Sequence, residues 1–218
     1  MTDSTSGIDD EAPVDALRDT WEWRQDGASW FVDLEAPSLD PAHLGPWWAD
    51  LVDAWLDDFS ELVRVREASL VDNTEHTLAR RPEEPFVMFR RRVLDAIRSS
   101  PDRLHQTTLY LDLRAWVRTA ESPDRPVVGW IEIDSLELYV HIGDDGEGYA
   151  SFDLPVSLFS PAPRSNRPAS NLELHGLNQP VLRRALERWA TRTGQSLQLG
   201  GELPFRREFG FAHPDDDD

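Results

Sequence analysis

The sequence predicts an α+β fold, in which an antiparallel β-meander sheet with an N-terminal hairpin is packed on one face by two or three amphipathic helices. Two patterns predict it. Apolar residues recur at helical spacing in three segments, and they alternate with polar residues along the centre of the chain, from 107 to 142. We expect one domain over 20–213, with disordered acidic ends at 1–19 and 214–218.

The beginning of the domain is predicted to be a hairpin followed by a helix. Asp26-Gly27 is a strong hairpin signal between the aromatic, β-prone segments TWEWR and SWFVDLE. Asp40-Pro41 is typical of an N-cap followed by the first helical residue. The apolar stripe of this helix comprises Trp47, Trp48, Leu51, Val52, Trp55, Leu56, Phe59 and Leu62, with Asp50, Asp53, Asp57, Asp58 and Glu61 largely outside it.

The central segments predict a second helix and most of the sheet. Residues 64–84 are ambiguous, because VRVREASLV could form a strand while TEHTLARRPEEP has the composition of a loop. A helix is predicted from Pro85 to Ser99, stopped by Pro101. Residues 107–118, 127–134 and 136–142 alternate as half-buried strands, with a turn near Ser135, and a hairpin turn at 144–148 leads into a strand over 149–154.

The last part of the chain predicts a loop, a helix and a short closing strand. Residues 160–171 are rich in proline, serine and asparagine, which indicates an exposed loop. Asn178 can cap a third helix, with Pro180 in its first turn and Gly194 at its end. A strand near 196–199 and the aromatic segment 205–211 complete the domain.

The charge balance limits the class of partner. Asp and Glu total 41 against 22 basic residues, all of them arginine, which gives a formal charge of -19 and a pI near 4.6. Direct binding to nucleic acid is disfavoured, because it needs a basic surface. The absence of cysteine and lysine excludes disulfides, thiol nucleophiles and Schiff bases. Without a leader-like or membrane-spanning apolar run, we expect no membrane partner and a cytoplasmic location.

One face of the predicted sheet has the composition of a protein-binding surface. It mixes large aromatic residues with carboxylates, a combination that provides buried anchors and charge specificity. With the acidic side of the first helix, it gives the candidate partner-binding residues Asp53, Asp57, Asp58, Tyr110, Asp112, Trp116, Trp130, Glu132, Glu137 and Tyr139. The alternative is that the opening hairpin or a loop covers this face, so that the tryptophans belong to the core.

No motif in the sequence predicts catalysis, a cofactor or a metal. Glu132, Asp134, Glu137 and His141 lie close in sequence, but the turn near Ser135 makes their relative orientation uncertain, and exposed sheet carboxylates explain them more simply. The remaining histidines lack the spacing of a zinc site.

We therefore expect a non-enzymatic acidic protein that inhibits a basic protein partner, such as the immunity or antitoxin protein of a bacterial toxin. The alternatives are a hydrolase or lyase that uses carboxylate and histidine chemistry, and a scaffold subunit from a salt-adapted organism. The acidity itself could instead reflect a GC-rich genome or a salt-adapted cytoplasm.

Overall fold

The computed structural model describes residues 11–17, 28–155, 157–161, 171–200 and 206–212. In chain order its elements are β1 (Ala28–Glu35), α1 (Pro41–Asp58), β2 (Val63–Val71), β3 (Glu75–Ala79), α2 (Phe86–Arg98), β4 (Gln106–Val117), β5 (Val127–Ile142), β6 (Glu147–Leu154), α3 (Asn171–Thr193), β7 (Gln198–Gly200), β8 (Arg206–Arg207) and β9 (Gly210–Phe211). The main sheet has the order β3-β2-β4-β5-β6-β1-β7, and its strand pairs are antiparallel. The α+β prediction is confirmed.

The two ends of the sheet refine the predicted strands. Strand β1 is the second strand of the predicted opening hairpin, whose first strand lies outside the described residues; β1 itself pairs with β6 and β7. Residues 75–79, which had the composition of a loop, form the edge strand β3 and pair with β2. A short, polar strand is typical of a sheet edge, because it discourages pairing with further chains.

The first two helices begin and end close to the predicted residues. The Asp40 carboxylate accepts a hydrogen bond from the backbone N–H of Ala42 at 3.1 Å, which caps α1. Helix α1 ends at Asp58 with Phe59 as its C-cap, so the last apolar residues of the predicted stripe lie in the turn before β2. Helix α2 lies between the cap residues Pro85 and Ser99.

The third helix begins earlier than predicted. It starts at Asn171, and Asn178 is a buried residue within it rather than its cap. The Asn178 side chain accepts from the Trp116 N–H at 2.7 Å and donates to the Trp116 C=O at 3.0 Å. Strand β2 pairs with β4 only as far as Leu113, so this amide satisfies backbone groups that the sheet leaves unpaired.

Strand β5 is one long strand where the sequence predicted two. Tyr110 of β4 pairs with Glu137, and Asp112 pairs with Glu132, so the four residues 133–136 of β5 form an enlarged bulge opposite a single residue of β4. The predicted turn near Ser135 is this bulge, which turns Ile133 and Leu136 into the core. Beyond it, residues 137–142 pair with β4 and β6, whereas residues 127–132 pair with β4 alone.

The three helices cover one face of the sheet. Trp55 and Phe59 at the end of α1 stack with ring centroids 4.1 Å apart. Phe152 of β6 lies 4.8 Å from Phe59, and Trp189 of α3 lies 5.9 Å from it, so both helices meet the sheet at this aromatic cluster. None of the helices in the described part of the chain is long and apolar enough to cross a membrane.

Candidate protein-binding face

The side of the sheet opposite the helices has two regions with different surroundings. Strand register places on one region, called the open face below, Ser29, Phe31, Asp33 and Glu35 of β1, Glu147, Tyr149, Ser151 and Asp153 of β6, Glu137, Tyr139 and His141 of β5, Gln106, Thr108 and Tyr110 of β4, Glu67, Ser69 and Val71 of β2, and Glu75, Thr77 and Ala79 of β3. The other region, called the closed end, lies beyond the β5 bulge and carries Arg64, Asp112, Trp116, Trp130 and Glu132.

The closed end is covered by residues 11–17, called the N-terminal strap below. The Val14 N–H donates to the Trp130 C=O at 2.7 Å, and Arg64 donates to the Glu11 C=O at 2.8 Å. Gly129, which alternates with Trp130 and lies on the helix side of β5, makes room for the strap where it runs beside this strand, because a Cβ at this position would lie 2.6 Å from Cγ1 of Val14. Beneath this cover Trp130 is only 1% exposed.

At the closed end, the buried side chain of Arg64 contacts two aromatic rings and a carboxylate. The Arg64 guanidinium lies 3.8 Å from the ring centroid of Phe86 and 4.4 Å from that of Trp130. Its Nε donates to Asp112 at 2.9 Å. Burial raises the pKa of Asp112, while Arg64 opposes that rise. The closed end therefore contains both the cation and the groups that bind it.

Four of the predicted partner-binding residues lie at this closed end. The prediction of exposure is wrong for Asp112 and Trp130, because both are buried against Arg64, which stacks on Trp130, pairs with Asp112 and donates to the strap. For Trp130 the alternative holds, that this face is covered and its tryptophan belongs to the core. Glu132 is exposed but pairs with Arg66 at 2.5 Å. Trp116 is half-buried, and Asn178 binds both of its backbone groups.

The acidic residues predicted on the first helix are bound within the molecule. Arg90 of α2 contacts Asp53 and Asp57, each at 2.6 Å. Asp58 is buried, contrary to its expected exposure, because it accepts two hydrogen bonds from Arg192 of α3, both at 2.7 Å. This carboxylate connects α1 to α3, and it is not available to a partner.

Other carboxylates of the helix layer are also paired. Hydrogen bonds from Arg188 and Arg184 lower the pKa of Glu61, and a hydrogen bond from Arg92 lowers the pKa of Glu84 to about 2. A shallow groove between the end of α1 and α3 is lined by Asp58, Arg184, Glu187, Arg188, Thr191 and Arg192. Its α3 arginines take part in these ion pairs with Glu61 and Asp58, so the groove is not an uncompensated anion site.

The open face brings together the remaining three predicted residues. Glu137 of β5 lies directly opposite Tyr110 of β4, and Tyr139 follows on the same side of β5. On the other neighbouring strand, Asp153 of β6 also lies directly opposite Glu137. These side chains are half-buried, and they lie near the centre of the face.

Among the described residues, the open face carries carboxylates and no arginine. Its acidic residues are Asp33, Glu35, Glu67, Glu75, Glu137, Glu147 and Asp153. In the described part of the chain, none of them forms an ion pair with an arginine. The open face differs from the closed end and the helices because no arginine of the described residues pairs with its carboxylates, and the difference does not lie in the number of acidic residues.

Burial and neighbouring charge act against ionisation at the centre of the open face. Burial raises the pKa of Glu137, and the opposite Asp153 raises it further. Burial also raises the pKa of Asp153, although hydrogen bonding from the Ser151 hydroxyl, 3.1 Å away, opposes the rise. Ser29 also donates to Asp153. A cation placed beside this pair would relieve the repulsion between the two carboxylates.

Sequence reasoning missed the part of the open face that β1 and β6 supply. Asp33 and Glu35 alternate with Val32 and Leu34 along β1, and Asp153 alternates with Phe152 and Leu154 along β6. The same period-two pattern that assigned the sides of β4 was therefore present in both strands. Only the position of β1 beside β6 required the structure, because these two strands are distant in sequence.

The described residues contain no group of three or more histidine, aspartate or glutamate side chains that could hold a metal ion. Comparison with known proteins identifies no relative. No protein-family model, no curated protein sequence and no solved structure matches this chain.

Proposed function

We propose that this chain is a non-enzymatic binding protein that neutralises a basic protein in the cytoplasm, and that the open face is its binding surface. The observation that supports this proposal is the set of carboxylates on the open face, which have no arginine partner among the described residues. Elsewhere in the molecule, most carboxylates of the helix layer and closed end are matched by arginine.

The chemistry of the face favours a cationic protein partner. Lysine and arginine side chains of the partner would pair with the carboxylates, and tyrosine rings would supply amphipathic anchors between them. The net charge of -19 adds a long-range attraction that speeds association at low salt. The same charges repel a phosphate backbone, so the proposal does not include direct binding to nucleic acid.

An immunity or antitoxin protein of a bacterial toxin is the class that we propose. A toxin that acts on nucleic acid or nucleotides needs a cationic cleft to hold phosphate groups. Carboxylates arranged on a rigid sheet can occupy those cationic groups, while the tyrosines occupy the space of the substrate. Inhibition would then follow from the occupied cleft, without any reaction catalysed by this chain.

The proposal can be tested with three baits in an affinity capture from the source organism, at low and moderate salt. The wild-type chain is compared with an open-face variant, Asp33→Asn, Glu137→Gln and Glu147→Gln, and with a helix-layer control, Asp50→Asn, Asp57→Asn and Asp95→Asn. Both variants neutralise the same number of carboxylates, so they have the same net charge. We expect the wild type and the control to retain the same basic protein and the open-face variant to lose it.

Two further measurements establish the function of a captured partner. Its association rate with the wild type should fall as salt rises, because steering by charge is screened. Co-expression of the wild type, but not of the open-face variant, should relieve toxicity of the partner in a heterologous host. Recovery of no basic protein, or equal recovery by all three baits, would contradict the proposed surface.

A further inference from the structure

Three aromatic rings form a cluster on the open face. Tyr139 and His141 lie on the same side of β5, and Tyr149 of β6 lies directly opposite His141. The ring centroids are 5.5 Å apart for Tyr139 and Tyr149, 6.0 Å for His141 and Tyr149, and 6.4 Å for Tyr139 and His141. This group, called the aromatic triad below, is separated by the sheet from the aromatic cluster under the helices.

The triad is accessible, and carboxylates lie at both of its ends. Tyr149 is 39% exposed, and Tyr139 and His141 are half-buried. Glu137 precedes Tyr139 by two residues on the same side of β5, and Asp33 of β1 lies directly opposite Tyr149. Two residues along a strand correspond to about 7 Å, so a cation on the rings would lie within reach of a carboxylate at either end.

The closed end shows what this combination of groups binds within the same molecule. There the Arg64 guanidinium stacks on Phe86 and Trp130 while it pairs with Asp112. The described cation–π contacts of the chain involve Phe86, Trp130 and Phe89, and none involves the triad. The triad therefore has the rings and the carboxylates of a guanidinium site, and no arginine of the described chain lies over it.

We propose that the aromatic triad, flanked by Glu137 and Asp33, binds an arginine side chain of the basic partner. The planar guanidinium would stack on the tyrosine rings, and its N–H groups would donate to the carboxylates. Arginine is favoured over lysine, because its delocalised charge stacks on rings and is less strongly hydrated than an ammonium group. This inference rests on the proposed function, and it specifies the group that the partner presents.

The experiment uses the full chain and defined peptides as probes. A short Gly/Ser peptide with spaced arginines is compared with matched peptides that carry lysine or uncharged citrulline at the same positions. Binding is followed by NMR, and we expect the arginine peptide to shift the backbone amide signals of Tyr139, His141 and Tyr149 more than those of the helix layer. The lysine peptide should bind more weakly, and the citrulline peptide should not bind.

A pair of variants at one position tests the role of the ring. Tyr149→Leu should lower affinity for the arginine peptide about two- to five-fold and abolish the preference for arginine over lysine. Tyr149→Phe, which keeps the ring, should bind like the wild type. Thermal unfolding of both variants checks that the fold is retained.

The outcomes separate this inference from the proposed function. Equal binding of the arginine and lysine peptides, with no effect of Tyr149→Leu, would overturn the stacking proposal. If the Asp33, Glu137 and Glu147 variant then still lost binding, the acidic open face would remain a protein-binding surface that acts by charge alone. If neither cationic peptide bound to the wild type, the inference would be overturned, and the affinity capture with the open-face variant would decide the proposed function separately.

Discussion

The closed end and the open face belong to the same side of one sheet, and both combine aromatic rings with carboxylates. At the closed end the chain supplies the cation itself, since Arg64 lies between Phe86 and Trp130 and pairs with Asp112. On the open face the corresponding carboxylates have no arginine partner among the described residues, and burial raises the pKa of Glu137 and Asp153. The first arrangement stabilises the fold, whereas the second is suited to a cation from another molecule.

The largest loss of stability should follow the removal of Arg64, the cation of the closed end. Arg64→Met leaves the Asp112 carboxylate buried without its main partner, and we expect it to lower the free energy of unfolding by about 3–5 kcal/mol. Arg90→Met removes two partly exposed ion pairs between α1 and α2 and serves as the control, with an expected loss of at most about 1 kcal/mol. Urea denaturation measures both.

A second change at the closed end should restore stability. Adding Asp112→Leu to Arg64→Met removes the uncompensated carboxylate, so we expect the double variant to be more stable than Arg64→Met alone. If Arg64→Met cost no more than Arg90→Met, the guanidinium would not be a structural component of the closed end. The closed end would then not differ from the open face in having a cation that stabilises the fold.

The second prediction concerns the fit of the N-terminal strap. Gly129→Ala places a Cβ 2.6 Å from Val14, and we expect a loss of about 1–3 kcal/mol, together with faster proteolysis within residues 11–17. Val14→Ala in the same chain should recover part of the loss, because the contact lies between these two side chains. Additive effects of the two substitutions would show that Gly129 is needed for another reason.

The contrast between the two regions could be predicted from the sequence only in part. Alternation along β4 and β5 correctly assigned Tyr110, Glu137 and Tyr139 to the side opposite the helices. It could not show that the strap covers Trp130, because hydrophobic periodicity reports which sides of a strand face a helix layer and contains no information on a segment distant in sequence. Trp130 therefore lies at a position that the alternation along β5 predicts to be exposed, but its side chain is buried.

Ion pairing was unpredictable for a similar reason. Asp58 lies outside the apolar stripe of α1, as an exposed acid would, but its partner Arg192 is 134 residues away in the sequence. The start of α3 was predicted too late, because asparagine is a common helix N-cap and Asn178 precedes a proline. The Asn178 side chain instead binds the backbone of β4. Local sequence patterns therefore identified the helices and strands. Which carboxylates pair with an arginine depends on contacts between residues distant in sequence, which these patterns do not contain.

The third prediction uses the raised pKa of Glu137. Because folding raises this pKa above its value in the unfolded chain, the folded state binds the proton more tightly, and ionisation of Glu137 destabilises the fold. This cost is absent below the unfolded-state pKa, grows as the pH rises towards the folded-state pKa, and is fully present above it. Glu137→Gln should therefore raise the free energy of unfolding at neutral pH, by up to about 1 kcal/mol, and leave it unchanged in acid.

Denaturation measured across the acidic to neutral range tests this sign. Glu121→Gln, at an exposed position between β4 and β5, is the matched control for the loss of one carboxylate. A stability gain for Glu137→Gln that persisted at a pH below the unfolded-state pKa would indicate a packing effect of the amide. In that case the repulsion between Glu137 and Asp153 would not be the cause.

The smallest expected change in stability is at the aromatic triad. Tyr149 is 39% exposed and its ring lies outside the helix-covered core, so Tyr149→Leu should alter the free energy of unfolding by no more than about 0.5 kcal/mol. Trp130→Leu at the closed end is the comparison, and it should cost several times more, because that ring is buried and stacks on Arg64. A large loss for Tyr149→Leu would mean that the triad holds the sheet together, and its rings would then be no more available to a partner than those around Arg64.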